Sequence, residues 1–371
     1  MKNVIGVIFA DSHYADLGEL TSVRPLAALP VNGRYRIIDF NISCMVNSGM
    51  RNVAVVTQNN YHSLMGHLGS GKQWNLARKR YGLILFPPFS NLSSTGSDSR
   101  MDILYGILNY LKRSTQEYVL LSEPNIVINR RFNDVFEAHV DSKADITVVT
   151  QKVTGEEDKP EYEAYVYADE EGNVTGLDRG NNFANAEDKA FGYILINKQT
   201  LINIIEQSKV RGKKGYLMNM INRNIGQLKI KKYRLDGYAR KISTINEYTK
   251  VNHEMLDDEV RLALFNEETP IYTKDKDTTP TRYLSNGSVK NCFVADGCVI
   301  DGEIENSIIF RSVHVKKGTK IKNSIILQQS DIGENVELEN VIVDKKVMIR
   351  DNKRLIGTEE FPIVVGKNKV I

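Results

Sequence analysis

The chain has little that would tie it to an oxidising compartment, a nucleic acid or a membrane. Three cysteines stand among 371 residues, Cys44, Cys292 and Cys298, and no two form a CxxC pair. An odd number without paired spacing argues against a disulfide framework or a zinc site, and fits a reducing cytoplasm. An excess of one charge is missing too, since 49 basic against 46 acidic residues leave a formal net charge of +3. Capture of nucleic acid needs a basic patch or stripe, which this balance does not suggest. The densest basic run, Arg78-Lys79-Arg80, reads as a solvated helix end. Long apolar runs are also absent. The N-terminal run 4–10 is seven residues long before Asp11 breaks it. That is too short for a signal h-region with its cleavage site or for a membrane span, and it reads as a buried strand. A cytoplasmic protein without nucleic-acid or membrane partners is expected.

What is present is ordinary globular composition, 41% apolar and 26% charged, in a chain long enough for two domains. VIGVIFA (4–10), VAVVT (53–57), YVLLS (118–122) and DITVVT (145–150) are rich in β-branched residues and nearly continuously apolar. Strands buried on both faces of a mostly parallel sheet read this way. FNISCMVNSG (40–49) and MDILYGILNYLKR (101–113) carry helix-compatible patterns between them. The alternation predicts a doubly wound α/β domain. The serine-rich segment 89–100 reads as a polar loop. Beyond residue 246 the pattern changes, with a helical stretch at 247–265 and a polar linker at 268–281. KNCFV (290–294), ENSII (305–309), KNSII (322–326) and ENVIV (339–343) then repeat one theme, the last three copies 17 residues apart. Apolar residues at six-residue spacing, three hexads to a turn, predict a left-handed parallel β-helix. The expected division is an α/β domain over 1–245, helix and linker over 246–281, and the β-helix over 282–371.

GRYRIIDF (33–40), NSG (47–49), GKQWNLARK (71–79), YGLILFPPF (81–89), EYVLLS (117–122) and ENSIIFRSVHVKKG (305–318) closely resemble glucose-1-phosphate adenylyltransferases. The resemblance covers nearly the whole chain. It implies a Rossmann-like nucleotidyltransferase domain ahead of a hexapeptide-repeat β-helix. It also implies a reaction in which glucose 1-phosphate attacks the α-phosphate of ATP. Such phosphoryl chemistry rests on positioning and charge neutralisation.

The groups that would do this are replaced. The family's Ala-Gly-Gly-x-Gly-x-Arg-Leu loop aligns with Ala10-Asp11-Ser12-His13-Tyr14-Ala15-Asp16-Leu17. The glycines that let backbone approach phosphate are gone, with Asp11, Ser12 and Tyr14 in their region, and Asp16 stands where Arg is expected. Each carboxylate against a triphosphate would cost on the order of a few kcal/mol. In the family's Ser-Gly-Asp-His, Pro124 of Ser122-Glu123-Pro124-Asn125 takes the place of the metal-binding Asp. Glu123 is expected to face the other way, because neighbours on an extended segment alternate. A second metal-binding Asp falls near Tyr216-Leu217-Met218, where no carboxylate remains. The sugar-phosphate Glu-Lys-Pro becomes Asp178-Arg179-Gly180, and the Lys before Pro-Ala-Val falls at Leu26, beside Arg24-Pro25. In the Tyr-Trp-Arg-Asp-Val-Gly motif, Gly237-Tyr238-Ala239-Arg240-Lys241-Ile242 keeps Tyr and Arg, with Lys241 in place of Asp.

The chain therefore resembles the family's non-catalytic subunit type, which raises the activity of a catalytic paralogue in a mixed tetramer. It is expected to be inactive alone and to bind no cofactor, Mg²⁺ being used by the partner. A self-sufficient divergent nucleotidyltransferase, a hexapeptide acyltransferase working through His314, and a sugar-phosphate or nucleotide sensor are the alternatives. Arg36 and Arg34 are the candidate effector-binding residues, by resemblance to a regulatory phosphate site between the domains. A structural pairing of Arg36 with Asp39 competes with that role. Trp74 is either a base-stacking platform or a packing residue.

Overall fold

The apolar runs become strands, and the pattern of their pairing places a cleft at one end of the central strands. The structure, a computed structural model, describes residues 1–12, 15, 17–58, 60–88, 100–154, 163–179, 186–210 and 217–371. β1 (Val4–Phe9) is buried along its whole length. β2 (Asn52–Val56), β3 (Gly82–Phe86) and β4 (Tyr118–Ser122) extend the sheet around it. β1 pairs in parallel with both β2 and β4, and β2 with β3. β5 (Ile146–Lys152), β6 (Ala164–Ala168), β7 (Val174–Arg179), β8 (Asp188–Asn197) and β9 (Ile230–Arg234) complete nine strands. β8 enters antiparallel to β4, β5 and β6, so the sheet is mixed. Two apolar clusters lie on its faces, one around Ile5, Leu104 and Leu201, the other around Ile8, Ile42 and Phe132.

Local chemistry sets the helix ends. The helix Ile37–Asn47 starts three residues before the FNISC pattern, because the Asp39 carboxylate accepts from the Arg36 N–H at 2.9 Å. The stretch 101–113 is not one helix but two, Arg100–Gly106 and Leu108–Arg113, separated at Ile107. The helix Ile245–Glu254 opens on a reciprocal Thr244–Glu247 cap.

The C-terminal part forms three parallel five-stranded sheets, the faces of a left-handed parallel β-helix. Ile304, Ile321, Leu338 and Leu355 sit in register across successive turns, 17 residues apart. The first turn is two residues shorter, pairing Val289 with Ile304. Ile309, Ile321, Ile326 and Val343 point inward and are at most 1% exposed. Asn306, Asn323 and Asn340 take the corners at φ 47°, 46° and 50°. Asparagine tolerates that left-handed region, and its amide can link one turn to the next. Asn306 Nδ2 donates to Asn323 Oδ1 at 2.7 Å.

The polar segment before the β-helix contains no helix or strand between Leu264 and Arg282. It is nevertheless pinned to the α/β domain. Ser43 Oγ accepts from the Tyr272 N–H at 2.9 Å, Asn47 Nδ2 donates to the Pro270 carbonyl, and Thr273 Oγ1 donates to Asp39. Its backbone groups find partners in side chains of the helix Ile37–Asn47, which composition cannot reveal. The two parts of the chain also share an apolar cluster that includes Leu20, Phe40, Tyr248, Ile308 and Phe310. Beside it Arg24 donates to both oxygens of Asp344 at 2.7 and 2.8 Å, with both side chains buried. No helix among the described residues is long and apolar enough to cross a membrane.

Candidate functional site

The cleft lies beyond the C-terminal ends of β1 and β4, where an α/β sheet of this kind presents ligands. Phe9, Ser12, Ser122, Glu123, Asn125, Glu163, Gly192, Lys241 and Ser243 are among the residues that line it. Asp11 accepts from the Gln58 N–H at 3.4 Å. Tyr14 and Asp16 lie outside the described residues, as do the loop 89–99, Gly180 and Tyr216. Leu217 and Met218 line the cleft without a carboxylate. Arg179 closes β7 opposite Ala164.

Pro124 is buried and its side chain supplies no oxygen ligand. Glu123 departs from expectation, for its side chain lines the cleft. β4 ends at Ser122, so the strand alternation does not carry through to the next residue. The Glu123 N–H donates to the Gly192 carbonyl at 2.9 Å. Gly192, at φ 94°, leaves room for the glutamate: a Cβ on it would sit 3.0 Å from Glu123 Oε2.

That carboxylate is taken. Lys241 Nζ lies 3.3 Å from Glu123 Oε2 and 2.9 Å from Glu163 Oε2, and donates to the Ala190 carbonyl at 3.3 Å. Burial alone would lower the lysine's pKa, but the Glu123 and Glu163 carboxylates outweigh it and hold the ammonium above its ordinary value. The two motif residues that persist turn elsewhere. Tyr238 Oη donates to Glu254 Oε2 at 2.8 Å and Arg240 Nε to the same oxygen at 2.9 Å. They clamp the strand Ala239–Lys241 to the helix Ile245–Glu254. Arg24, off register in sequence, is bound to Asp344 of the β-helix.

A second site lies between the two parts of the chain. Arg34, Arg36, Lys274, Lys276, Arg311 and Gln328 surround it. The Arg36 guanidinium donates to the Ser63 carbonyl at 2.8 Å, while Asp39 accepts from the Arg36 backbone N–H. Burial lowers the Arg36 pKa to about 10, with Asp39 opposing and Arg24 assisting. Lys345, next to Asp344 in the β-helix, is pushed down to about 6 by burial and then by Arg36 and Arg24. Lys276 is lowered by burial and by Arg311, Arg36 and Lys274. Mutual repulsion of this kind marks a place suited to an anion. Lys274, Lys276, Arg311 and Lys345 are absent from the sequence-derived candidates. Two of them offered a signal, since Lys274 and Lys276, two apart on an extended segment, share a face. Trp74 is 1% exposed and meets His67 edge-on at 5.9 Å, so it packs in the core.

Comparison with known proteins gives the same outline. Residues 15–178 match the nucleotidyl transferase family, and residues 278–360 match the GlmU-like C-terminal hexapeptide family. The chain is 37% identical over 374 residues to glycogen biosynthesis protein GlgD of Bacillus subtilis (strain 168), covering 100% of this chain and 97% of that one. It is 35% identical over 373 residues to the GlgD of Geobacillus stearothermophilus, with the same coverage of 100% and 97%. A glucose-1-phosphate adenylyltransferase of Thermotoga neapolitana is 29% identical over 331 residues, covering 87% of this chain and 77% of the enzyme.

Proposed function

The chain belongs to the family of the glycogen biosynthesis protein GlgD, and from that premise we propose that it is the non-catalytic, activity-enhancing subunit of a glucose-1-phosphate adenylyltransferase complex. The complex would convert ATP and glucose 1-phosphate into ADP-glucose and pyrophosphate for glycogen synthesis in the cytoplasm. Its other member would be a catalytic paralogue, assembled with this chain into a mixed tetramer. The observation that carries the proposal is Lys241, whose ammonium binds both Glu123 and Glu163 in the cleft. With Pro124 beside them, the two carboxylates near the expected metal position are already engaged by one ammonium. Among the described residues no group of three or more His, Cys, Asp or Glu is placed to hold a metal ion. The residues present do not fit Mg²⁺, and no step of the reaction is assigned to this chain.

The pocket between the α/β domain and the β-helix supports a regulatory role. Arg34 and Arg36 are proposed to bind a phosphate-bearing effector together with Lys276 and Arg311. An anion there would touch the α/β domain, the connecting segment and the β-helix at once. Its binding energy could then bias how the two parts are arranged, and through them the partner. Such coupling is typically worth ~1–3 kcal/mol, or about 5–150-fold.

The test is ADP-glucose synthesis by this chain, by its catalytic paralogue, and by the mixture. The mixture should exceed the paralogue alone within that range, and this chain alone should be inactive. Inactivating the metal-binding Asp of the paralogue should abolish synthesis by the mixture. Product from that mixture would overturn the proposal, because the chemistry would then reside in this chain.

A further inference from the structure

We infer that the Lys241 ammonium is a built-in replacement for a divalent metal ion, holding the Glu123 and Glu163 carboxylates together so that the cleft reaches its folded geometry without metal or nucleotide. The inference rests on the reading of this cleft as non-catalytic, and it goes further by assigning the substituted residue a task.

The geometry is that of an ammonium ringed by oxygens. A lysine ammonium has three N–H donors and no acceptor. Around Lys241 Nζ stand three oxygens, from Glu163 at 2.9 Å, Glu123 at 3.3 Å and the Ala190 carbonyl at 3.3 Å. They come from three separate stretches of chain: the residue before β6, the residue after β4, and β8. Lys241 itself ends a fourth, the strand Ala239–Lys241, which pairs only with Ile126–Ile128 among the described strands. No ladder hydrogen bond among the described residues joins that small ribbon to the nine-stranded sheet. The lysine, together with Gln151 Nε2 of β5 donating to the Ala239 carbonyl at 3.1 Å, braces the ribbon against the sheet across the cleft.

The same oxygens suit Mg²⁺ poorly. That ion needs oxygen ligands at about 2.0–2.1 Å in near-octahedral array, whereas these lie at hydrogen-bond distances around a nitrogen that fills the centre. A metal ion shared by carboxylates from separate segments would make a comparable brace only while bound. A tethered ammonium makes it permanently, and its Glu163 partner is only 4% exposed. With the lysine charge removed, the Glu123 and Glu163 carboxylates would lose the ammonium between them and be able to recruit a divalent cation from solution.

The experiment is thermal denaturation of the full chain with and without MgCl₂ or MnCl₂, for the parent, Lys241→Met, Lys241→Arg and Lys241→Met/Glu163→Gln. The parent should ignore both salts beyond the effect of equal ionic strength in NaCl. Lys241→Met keeps the side chain's length without its charge and should melt roughly 5–10 °C lower, with part of the loss restored by either divalent ion. The double variant should lose that response, because one carboxylate remains. Should Lys241→Met not fold in plain buffer, folding it in the presence of MnCl₂ supplies the same reading. Lys241→Arg retains a cation and should show no divalent response. A parent stabilised specifically by Mg²⁺, or a Lys241→Met variant that melts with the parent and ignores divalent ions, would overturn the inference. None of these readouts depends on activating a partner, so the proposed function can fail without this inference, and the reverse.

Discussion

The buried pair between Arg24 and Asp344 predicts an asymmetry between two variants that each remove one partner. Arg24 is 2% exposed and Asp344 fully buried, and the pair joins segments 320 residues apart. Breaking a buried pair by deleting one member costs roughly 3–5 kcal/mol, because the other charge is left uncompensated. The two deletions differ in what remains nearby. Asp344→Ala leaves Arg24 near Arg36 and Lys345 without the carboxylate it is bonded to, so the full cost is expected. Arg24→Met leaves Asp344 beside Lys345, whose pKa of about 6 is held down in part by Arg24 itself. Removing Arg24 lets Lys345 take up a proton and neutralise Asp344. Each pKa unit regained is worth about 1.4 kcal/mol, so Arg24→Met should be milder than Asp344→Ala by about 1–2 kcal/mol. The sign with pH also follows. Lys345 is depressed from 10.5 to about 6, so between those values the unfolded chain holds more protons and stability rises with pH. Arg24→Met should move the lower end of that window upward. Urea denaturation at several pH values measures both effects. Equal destabilisation by the two variants, or a greater loss in Arg24→Met, would refute the reasoning.

Three other predictions concern separate regions. Ile309→Ala or Ile326→Ala removes a wholly buried β-helix side chain and should cost ~2–5 kcal/mol in denaturation; curves matching the parent would contradict the inward register. Sulfate, which does not titrate near pH 7, should stabilise the parent more than Arg36→Ala, and its binding near pH 7 should take up protons, read by calorimetry in buffers of different ionisation enthalpy. The sign follows from Lys345, whose pKa of about 6 an arriving anion would raise. Glu254→Ala frees Tyr238 and Arg240 at once and should lower stability by roughly 1–3 kcal/mol, whereas Arg240→Ala alone should cost less.

Much of the fold was legible because its signals are periodic. The 17-residue spacing of ENSII, KNSII and ENVIV, with asparagine at each corner, allows few structures other than stacked turns. The strands at 4–9, 52–56 and 118–122 could be read because strands buried on both faces need unbroken apolar runs. The antiparallel entry of β8 could not, since a buried strand has the same pattern in either direction. The break at Ile107 and the docking of 266–281 likewise depend on contacts far away in sequence. At the site, Lys241 and Pro124 stood out as substitutions, but the partners of Lys241 did not. Glu123 was expected to face away, because strand alternation was carried one residue beyond the end of β4.

By itself, then, the sequence determined the two architectures and the buried faces, since composition and period are local properties. Only the tertiary structure decided that Lys241 joins Glu123 to Glu163, that Tyr238 and Arg240 serve Glu254, and that Arg24 reaches Asp344 across 320 residues. It also gathered Arg34, Arg36, Lys276 and Arg311 around one pocket. The reason is physical. A charge is stabilised by whichever groups folding brings within a few ångströms, and these come from segments with no fixed spacing along the chain.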